Sequence, residues 1–349
     1  MRLAIIAITK NGTECAVKIC SCMQADLYLK KKFVTADILN KFGDSCLFTD
    51  EGFSEVVEKL FNSYEGIIFV MAAGIVVRSI APHIRDKQSD SAVVVVDEKG
   101  KFSISLLSGH IGGANKLAQE VAQVINATPV ITTATDINGV TAFDELAVRN
   151  NCAIENIKNL KYISSELVNG GRVSFFSELK TMGSLSGNID YENRKNKFAV
   201  IISNREKTDI QPENVLYLRP RNLVLGIGCK KGKTFSEINE AVLEFLSKNN
   251  RSILSVRCIA SINIKKEEAG IIEYCSEVGI PFVTFAPEEL KTVEQNFEGS
   301  EFVRSVTGVG NVCEASAFME SRNGRLICPK SIYNGITLAL AEDEKVIIL

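Results

Sequence analysis

The sequence is short of histidine. It has two, His83 and His110, and its ten cysteines form no C-x-x-C pair. Structural zinc sites draw four ligands from Cys and His at short, fixed spacings. The tightest pair, Cys20-x-Cys22, is too close for that pattern. No C-x-x-C-H haem attachment sequence occurs either. No metal site is therefore expected. The cysteines are scattered from Cys15 to Cys328. They are expected to be mostly small buried hydrophobes in a reducing compartment.

Long apolar runs are missing too. None approaches the roughly 18 to 20 residues that span a bilayer. The opening Met1–Ile8 imitates a signal peptide only briefly, because Thr9-Lys10-Asn11-Gly12 closes it as a strand closes into a turn. A cytoplasmic protein without membrane attachment is expected. Charge of one sign is not in excess, since the formal net charge is -2. No global basic field exists to hold nucleic acid. Nucleotide loops are absent as well. There is neither G-x-x-x-x-G-K-S/T nor G-x-G-x-x-G, and in Gly226-Ile227-Gly228-Cys229-Lys230-Lys231-Gly232 the third glycine comes one residue late. No Ser-His-Asp order with an elbow motif appears.

What is present is an alternation of elements. Leu3–Ile8, Gly66–Met71, Ala92–Asp97, Phe102–Leu107 and Val130–Thr132 are short, β-branched and bounded by turn residues, as strands are. Phe53, Val56, Val57, Leu60 and Phe61 make one helical stripe, and Leu117, Ala118, Val121, Ala122 and Ile125 another. This order predicts an α/β domain with a largely parallel sheet over 1–136. The short link Asp97–Lys101 predicts a hairpin inside it. From 137 to 218 the chain is more polar and its strands shorter, which suggests a small middle domain or an elaborate linker. From 219 to 349 a glycine-ended strand, Leu223–Gly228, opens a second α/β domain.

Three segments of the first domain carry candidate chemistry. In Ser108-Gly109-His110-Ile111-Gly112-Gly113-Ala114-Asn115 a strand runs through a glycine-rich turn into a helix. Free N–H groups at such a helix start, with the helix dipole, suit a carboxylate or phosphate. Ser108 and His110 are expected at the carboxyl edge of the sheet, where open α/β sheets bind ligands. The competing reading is a tight loop whose glycines serve packing. Arg78, His83, Arg85 and Lys87 offer basic groups for a polycarboxylate, or else a solvated helix face. Thr132, Thr133, Thr135 and Asp136 offer hydroxyls and a carboxylate, or else the cap of the next helix. In the last domain Glu314 follows the glycine turn Thr307–Asn311, where it either lines a pocket or stabilises a helix start.

These segments also resemble a known family. Met71–Arg78, Ile80–Lys87, Ala92–Asp97, Leu106–Asn115 and Val130–Asp136 look like the amino-terminal region of the CbiG family, the cobalt-precorrin-5A hydrolases. Gly226–Cys229, Ala260–Ile262 with Lys265–Gly270, and Thr307–Ala315 are similar to its carboxy-terminal domain. The resemblance implies a step of anaerobic cobalamin biosynthesis. The substrate would be a ring-contracted cobalt tetrapyrrole bearing a ring A δ-lactone. Lactone opening and loss of a two-carbon unit as acetaldehyde would give cobalt-precorrin-5B. Cobalt would arrive with the substrate, so no separate cofactor is expected. The expected partners are that small molecule and, transiently, neighbouring pathway enzymes. In this reading His110 is the base and Asp136 the orienting or second acid/base group. Gly112 or Gly113 receives the oxyanion. Arg78, His83, Arg85, Lys87, Ser108, Gly109, Asn115, Thr132, Thr133, Thr135 and Glu314 contact substrate. The alternatives are a tetrapyrrole carrier without chemistry and a sugar-phosphate or nucleotide regulator.

Overall fold

The computed structural model describes residues 1–43, 46–48, 52–86, 89–210 and 212–349. The chain divides into two compact units, Met1–Glu145 and Leu146–Leu349. The first unit contains β1 (Leu3–Ala7), α1 (Lys10–Cys20), β2 (Asp26–Leu29), α2 (Ala36–Phe42), β3 (Cys46–Phe48), α3 (Phe53–Ser63) and β4 (Gly66–Val70). It continues through α4 (Ala73–Ile80), β5 (Ala92–Val96), β6 (Phe102–Leu107), α5 (Ala114–Ile125), β7 (Thr128–Val130), α6 (Ala134–Ile137) and the first turn of α7 (Phe143–Arg149).

The strands form one sheet in the order β3-β2-β1-β4-β5-β6-β7. Every neighbouring pair is parallel except β5 and β6. β4 and β5 are buried at every residue, as apolar strands covered on both faces must be. Alternation sends their side chains to opposite faces. Ile68, Val70, Ala92, Val94 and Val96 pack with Ala16 and Ile19 of α1 and Leu117, Ala118 and Val121 of α5. Ile67, Phe69, Val93 and Val95 pack with Val56, Val57 and Leu60 of α3 and Val76 and Ile80 of α4. Both helical stripes expected from the sequence therefore face the sheet, one on each side.

The β5–β6 hairpin has a consequence for the site. Asp97 shapes its turn: Oδ1 accepts the Lys99 N–H at 2.9 Å and Oδ2 accepts the Lys101 and Phe102 N–H groups at 2.8 and 2.7 Å. The chain then runs back, so that Leu107 pairs with Val93 near the start of β5. Ser108 and His110 thus leave the sheet at the edge where β4 and β5 begin. That edge is the carboxyl end of β6 and β7 alone, which corrects the expectation of a common carboxyl edge. The last expected strand, Val130–Thr132, forms earlier, at Thr128–Val130.

The second unit holds two five-stranded sheets and a two-stranded one. One has the order β11-β9-β12-β13-β8, from β8 (Cys152–Glu155), β9 (Val173–Ser177), β11 (Ile189–Tyr191), β12 (Phe198–Ile202) and β13 (Asn214–Pro220). The other has the order β16-β15-β14-β18-β17, from β14 (Leu223–Cys229), β15 (Val256–Ile262), β16 (Phe282–Phe285), β17 (Arg325–Tyr333) and β18 (Ile336–Glu342). β10 (Lys180–Met182) pairs with β19 (Val346–Ile348). Helices α8 (Ile157–Val168), α9 (Phe235–Lys248), α10 (Ala269–Val278), α11 (Pro287–Glu294), α12 (Glu301–Thr307) and α13 (Cys313–Glu320) complete it. Among the described residues no helix is long and apolar enough to cross a membrane.

Candidate active site

Beyond β6 the chain makes a self-contained turn. Ser108 takes a left-handed backbone (φ 56°), and Gly113 does so at the entry to α5 (φ 84°). The N–H groups of Gly113, Ala114 and Asn115 donate at 3.0 Å to the carbonyls of His110, Ser108 and Gly109. The first N–H groups of the helix are therefore spent on the turn, not offered to an anion. This corrects the expected role of Gly113. The Gly112 N–H has no acceptor among the described residues. Gly112 also has a packing reason, since a Cβ there would stand 2.5 Å from Ser108 Cβ.

The closed turn fixes His110, whose ring lies between two carboxylates. Its Nε2 is 2.8 Å from Asp136 Oδ2, and its Nδ1 is 3.2 Å from Asp144 Oδ1. The Thr135 hydroxyl lies 3.3 Å from Nε2. Asn115 reaches in from α5, with Nδ2 donating at 3.2 Å to Asp136 Oδ2 and at 3.2 Å to Thr133 Oγ1. Ser105 of β6 donates to Asn115 Oδ1 at 2.7 Å and so sets the amide's orientation. The side chains of His110 and Asp144 are 5% and 4% exposed, but that of Asp136 is 32% exposed. Asp136 Oδ1 has no partner among the described residues.

Burial lowers the basicity of His110, but the hydrogen bonds and charges of Asp144 and Asp136 outweigh it and raise the pKa to about 9. A carboxylate against each ring nitrogen favours the imidazolium, which donates from both. In that form the ring has no lone pair with which to act as the expected base. Its role is closer to that of a fixed cation behind Asp136.

The residues expected to cap the next helix do something else. Thr133 is the residue before α6, and its side chain makes no capping bond. Thr135 and Asp136 lie inside α6 and reach toward His110. Thr132 is exposed. Ser108 is buried, with its Oγ unpartnered among the described residues.

The basic segment is only partly brought near. Arg78 is exposed on the last turn of α4. His83 packs against Phe61, with ring centroids 5.9 Å apart. Arg85 is exposed on the loop returning to β5, and its N–H donates to Asp90 Oδ1 at 2.9 Å. The carbonyl of Asp90 lies 3.4 Å from where a Cβ on Gly112 would stand, so this loop borders the His110 turn. Among the described residues none of the three hydrogen-bonds to the His110 group. Lys87 lies outside the described residues. Glu314 belongs to the second unit and is buried there. Its Oε1 accepts the Lys330 N–H at 3.1 Å and its Oε2 accepts from Asn311 Nδ2, so its oxygens serve the fold. That corrects its expected place in a substrate pocket.

Sequence reasoning missed Asp144 and Ser105. Asp144 reads as an ordinary acidic residue in the first turn of a helix, eight positions beyond Asp136. The one available signal was the need of a buried histidine for a partner on each ring nitrogen.

Three family models match the chain in succession: "Cobalamin synthesis G N-terminal" over 55–136, "Cobalamin biosynthesis central region" over 141–220 and "Cobalamin synthesis G C-terminus" over 223–341. The chain belongs to the CbiG family. His110 and Asp136 fall in the first matched segment and Asp144 in the second. A cobalt-precorrin-5A hydrolase of Priestia megaterium is 32% identical, covering 97% of this chain and 94% of that protein. The cobalt-precorrin-5A hydrolase of Salmonella typhimurium is also 32% identical, covering 97% of each. A solved structure, cobalamin biosynthesis protein chiG from Agrobacterium tumefaciens, is 26% identical and covers 35% of this chain and 99% of that one, with a TM-score of 0.29.

Proposed function

We propose that this chain is a cobalt-precorrin-5A hydrolase of anaerobic cobalamin biosynthesis, working in the cytoplasm. Full-length similarity to two proteins of that name supports the substrate. The observation that carries the chemistry is the buried Asp144–His110 pair ending on the part-exposed Asp136.

Opening a lactone needs an activated water. Asp136 Oδ1 takes a proton from that water as its oxygen adds to the lactone carbonyl. The acyl carbon–oxygen bond then breaks, and Asp136 returns the proton to the departing alkoxide. The acid formed loses its remaining proton to solvent, so ring A now carries a carboxylate and, on the neighbouring carbon, a carbinol. In the second step Asp136 removes the carbinol proton. The bond from the carbinol carbon to the macrocycle breaks, acetaldehyde leaves, the electron pair enters the cobalt macrocycle, and Asp136 gives up its proton to solvent for the next turnover. Because the substrate itself is the electron sink, the protein needs no cofactor. Proton transfer of this kind contributes roughly 10²–10⁴-fold.

The Gly112 N–H, which has no acceptor among the described residues, is our candidate donor to the lactone oxyanion, a contact worth roughly 3–4 kcal/mol in other enzymes. Ser108 and Gly109 belong to the same turn, Asn115, Thr133 and Thr135 are hydrogen-bonded around it, and Thr132 precedes them on an exposed stretch. Arg85 is the basic residue best placed for a peripheral carboxylate, with Arg78, His83 and Lys87 on the same segment.

Purified protein incubated with cobalt-precorrin-5A should release acetaldehyde, read by coupled NADH oxidation with alcohol dehydrogenase. Tight binding of the corrinoid with no acetaldehyde would identify a carrier instead.

A further inference from the structure

We propose that Asp144 is a positioning residue of this site: from its buried place at the start of α7 it holds Nδ1 of His110 and so keeps the Nε2–H directed at Asp136. The inference rests on the hydrolase reading for its kinetic consequence, but not for its structural one.

Asp144 does not touch solvent-side chemistry, since its side chain is 4% exposed. Its Oδ1 lies 3.2 Å from Nδ1 and accepts the Glu145 N–H at 3.1 Å, so the carboxylate is anchored to its own helix. A buried carboxylate requires a compensating positive charge. The His110 ring supplies one, and it is held in place by burial and by a carboxylate on each nitrogen. With Nδ1 committed to Asp144, any proton the ring gives up must leave from Nε2. That nitrogen faces Asp136 and the Thr135 hydroxyl. Asp144 thus makes Nε2–H the mobile proton and keeps a cation directly behind the carboxylate that meets substrate. The logic is that of a buried acid fixing a histidine tautomer, but here a second carboxylate stands in front of the ring.

The groups facing the ring are Asp144 from α7 and Asp136 and Thr135 from α6. Asn115 of α5 binds Asp136, and Asp90 borders the turn through its carbonyl. Among the described residues Asp144 and Asp136 are therefore the two titratable groups in contact with His110.

The chain has only two histidines, which makes imidazole NMR direct, with His83→Gln assigning the second signal. In the wild-type protein at neutral pH, both His110 nitrogens should carry the shifts of protonated imidazolium. A neutral, single-tautomer ring there overturns the proposal, whatever the enzyme assay shows. In Asp144→Asn the His110 titration midpoint should fall toward about 6.5 while the His83 signal stays in place. Acetaldehyde release should fall about 10–100-fold in kcat with KM nearly unchanged, a loss of the size seen for groups that support a catalytic residue. Asp144→Glu should recover part of it. An unmoved His110 midpoint, or wild-type turnover in Asp144→Asn, contradicts the proposal. If Asp144→Asn does not fold, the wild-type nitrogen shifts decide. If wild-type protein releases no acetaldehyde yet shows the doubly protonated ring, the hydrolase reading fails and the role of Asp144 stands.

Discussion

His110 Nε2 stands 2.8 Å from Asp136 Oδ2, with the ring almost wholly buried and the carboxylate a third exposed. The difference in exposure orders the pair. Asp136 faces what arrives from solvent, and His110 backs it. Replacing Asp136 by Asn keeps the shape and removes the proton acceptor. Acetaldehyde release should fall by roughly 10²–10⁴-fold, with corrinoid binding by optical titration within a few-fold of wild type. Unchanged turnover would remove Asp136 from the mechanism.

His110 should matter for stability as much as for rate. In His110→Ala the Asp144 carboxylate stays buried and loses the imidazolium 3.2 Å away. Breaking a buried pair from one side costs about 3–5 kcal/mol. The double variant His110→Ala/Asp144→Ala should recover a good part of that loss in urea denaturation. Equal instability of the single and double variants would show that the pair is not coupled.

The same pair predicts a pH dependence. The folded-state pKa of His110 is raised to about 9, against about 6.5 for an unfolded histidine. Its contribution to stability is therefore complete below about pH 6.5 and is lost as pH rises through about 9. The gap in denaturation midpoint between wild type and His110→Gln should narrow across that interval. A gap that stays constant or widens would contradict the assignment.

Asn115 ties Asp136 to β6 through Ser105. In Asn115→Ala, Asp136 loses a donor and its orientation but not its charge. The expected result is a fall in kcat of about 10-fold, the lower end of what supporting residues contribute, with KM little changed. A rise in KM alone would place Asn115 in substrate binding instead.

Gly112→Ala tests the turn itself. The added methyl would meet Ser108 Cβ at 2.5 Å and the Ser108 carbonyl at 2.9 Å. The backbone must shift, at a cost of about 1–3 kcal/mol, visible as a lower thermal midpoint together with lost activity.

Much of the first unit was legible in the sequence because its signals are local. The runs Gly66–Val70 and Ala92–Val96 are apolar throughout, the stripes on α3 and α5 are periodic, and a short polar link joins β5 to β6. The glycine turn with His110 and the carboxylate Asp136 could be singled out for similar reasons. What was not legible depends on three-dimensional closure. The hairpin was foreseen, but reversing β6 moves the turn to the opposite edge of the sheet from the start of α4. Among the described residues Arg78 makes no hydrogen bond to the His110 group, and its guanidinium lies back along α4, 3.6 Å from where a Cβ on Gly74 would stand. The N–H groups of Gly113, Ala114 and Asn115 were free by the general rule for helix starts, until the turn's own carbonyls took them. Asp144 lies beyond Asp136 on another helix, and only folding brings it to Nδ1. Glu314 has a motif position that suits a pocket, yet its oxygens are consumed by Asn311 and Lys330.

The most direct test of the account is acetaldehyde formed per cobalt-precorrin-5A consumed, measured side by side for purified wild type and Asp136→Asn. The account predicts stoichiometric acetaldehyde from wild type and a rate at least about 100-fold lower from the variant. Corrinoid binding without acetaldehyde from wild type, or equal rates from both proteins, would contradict it.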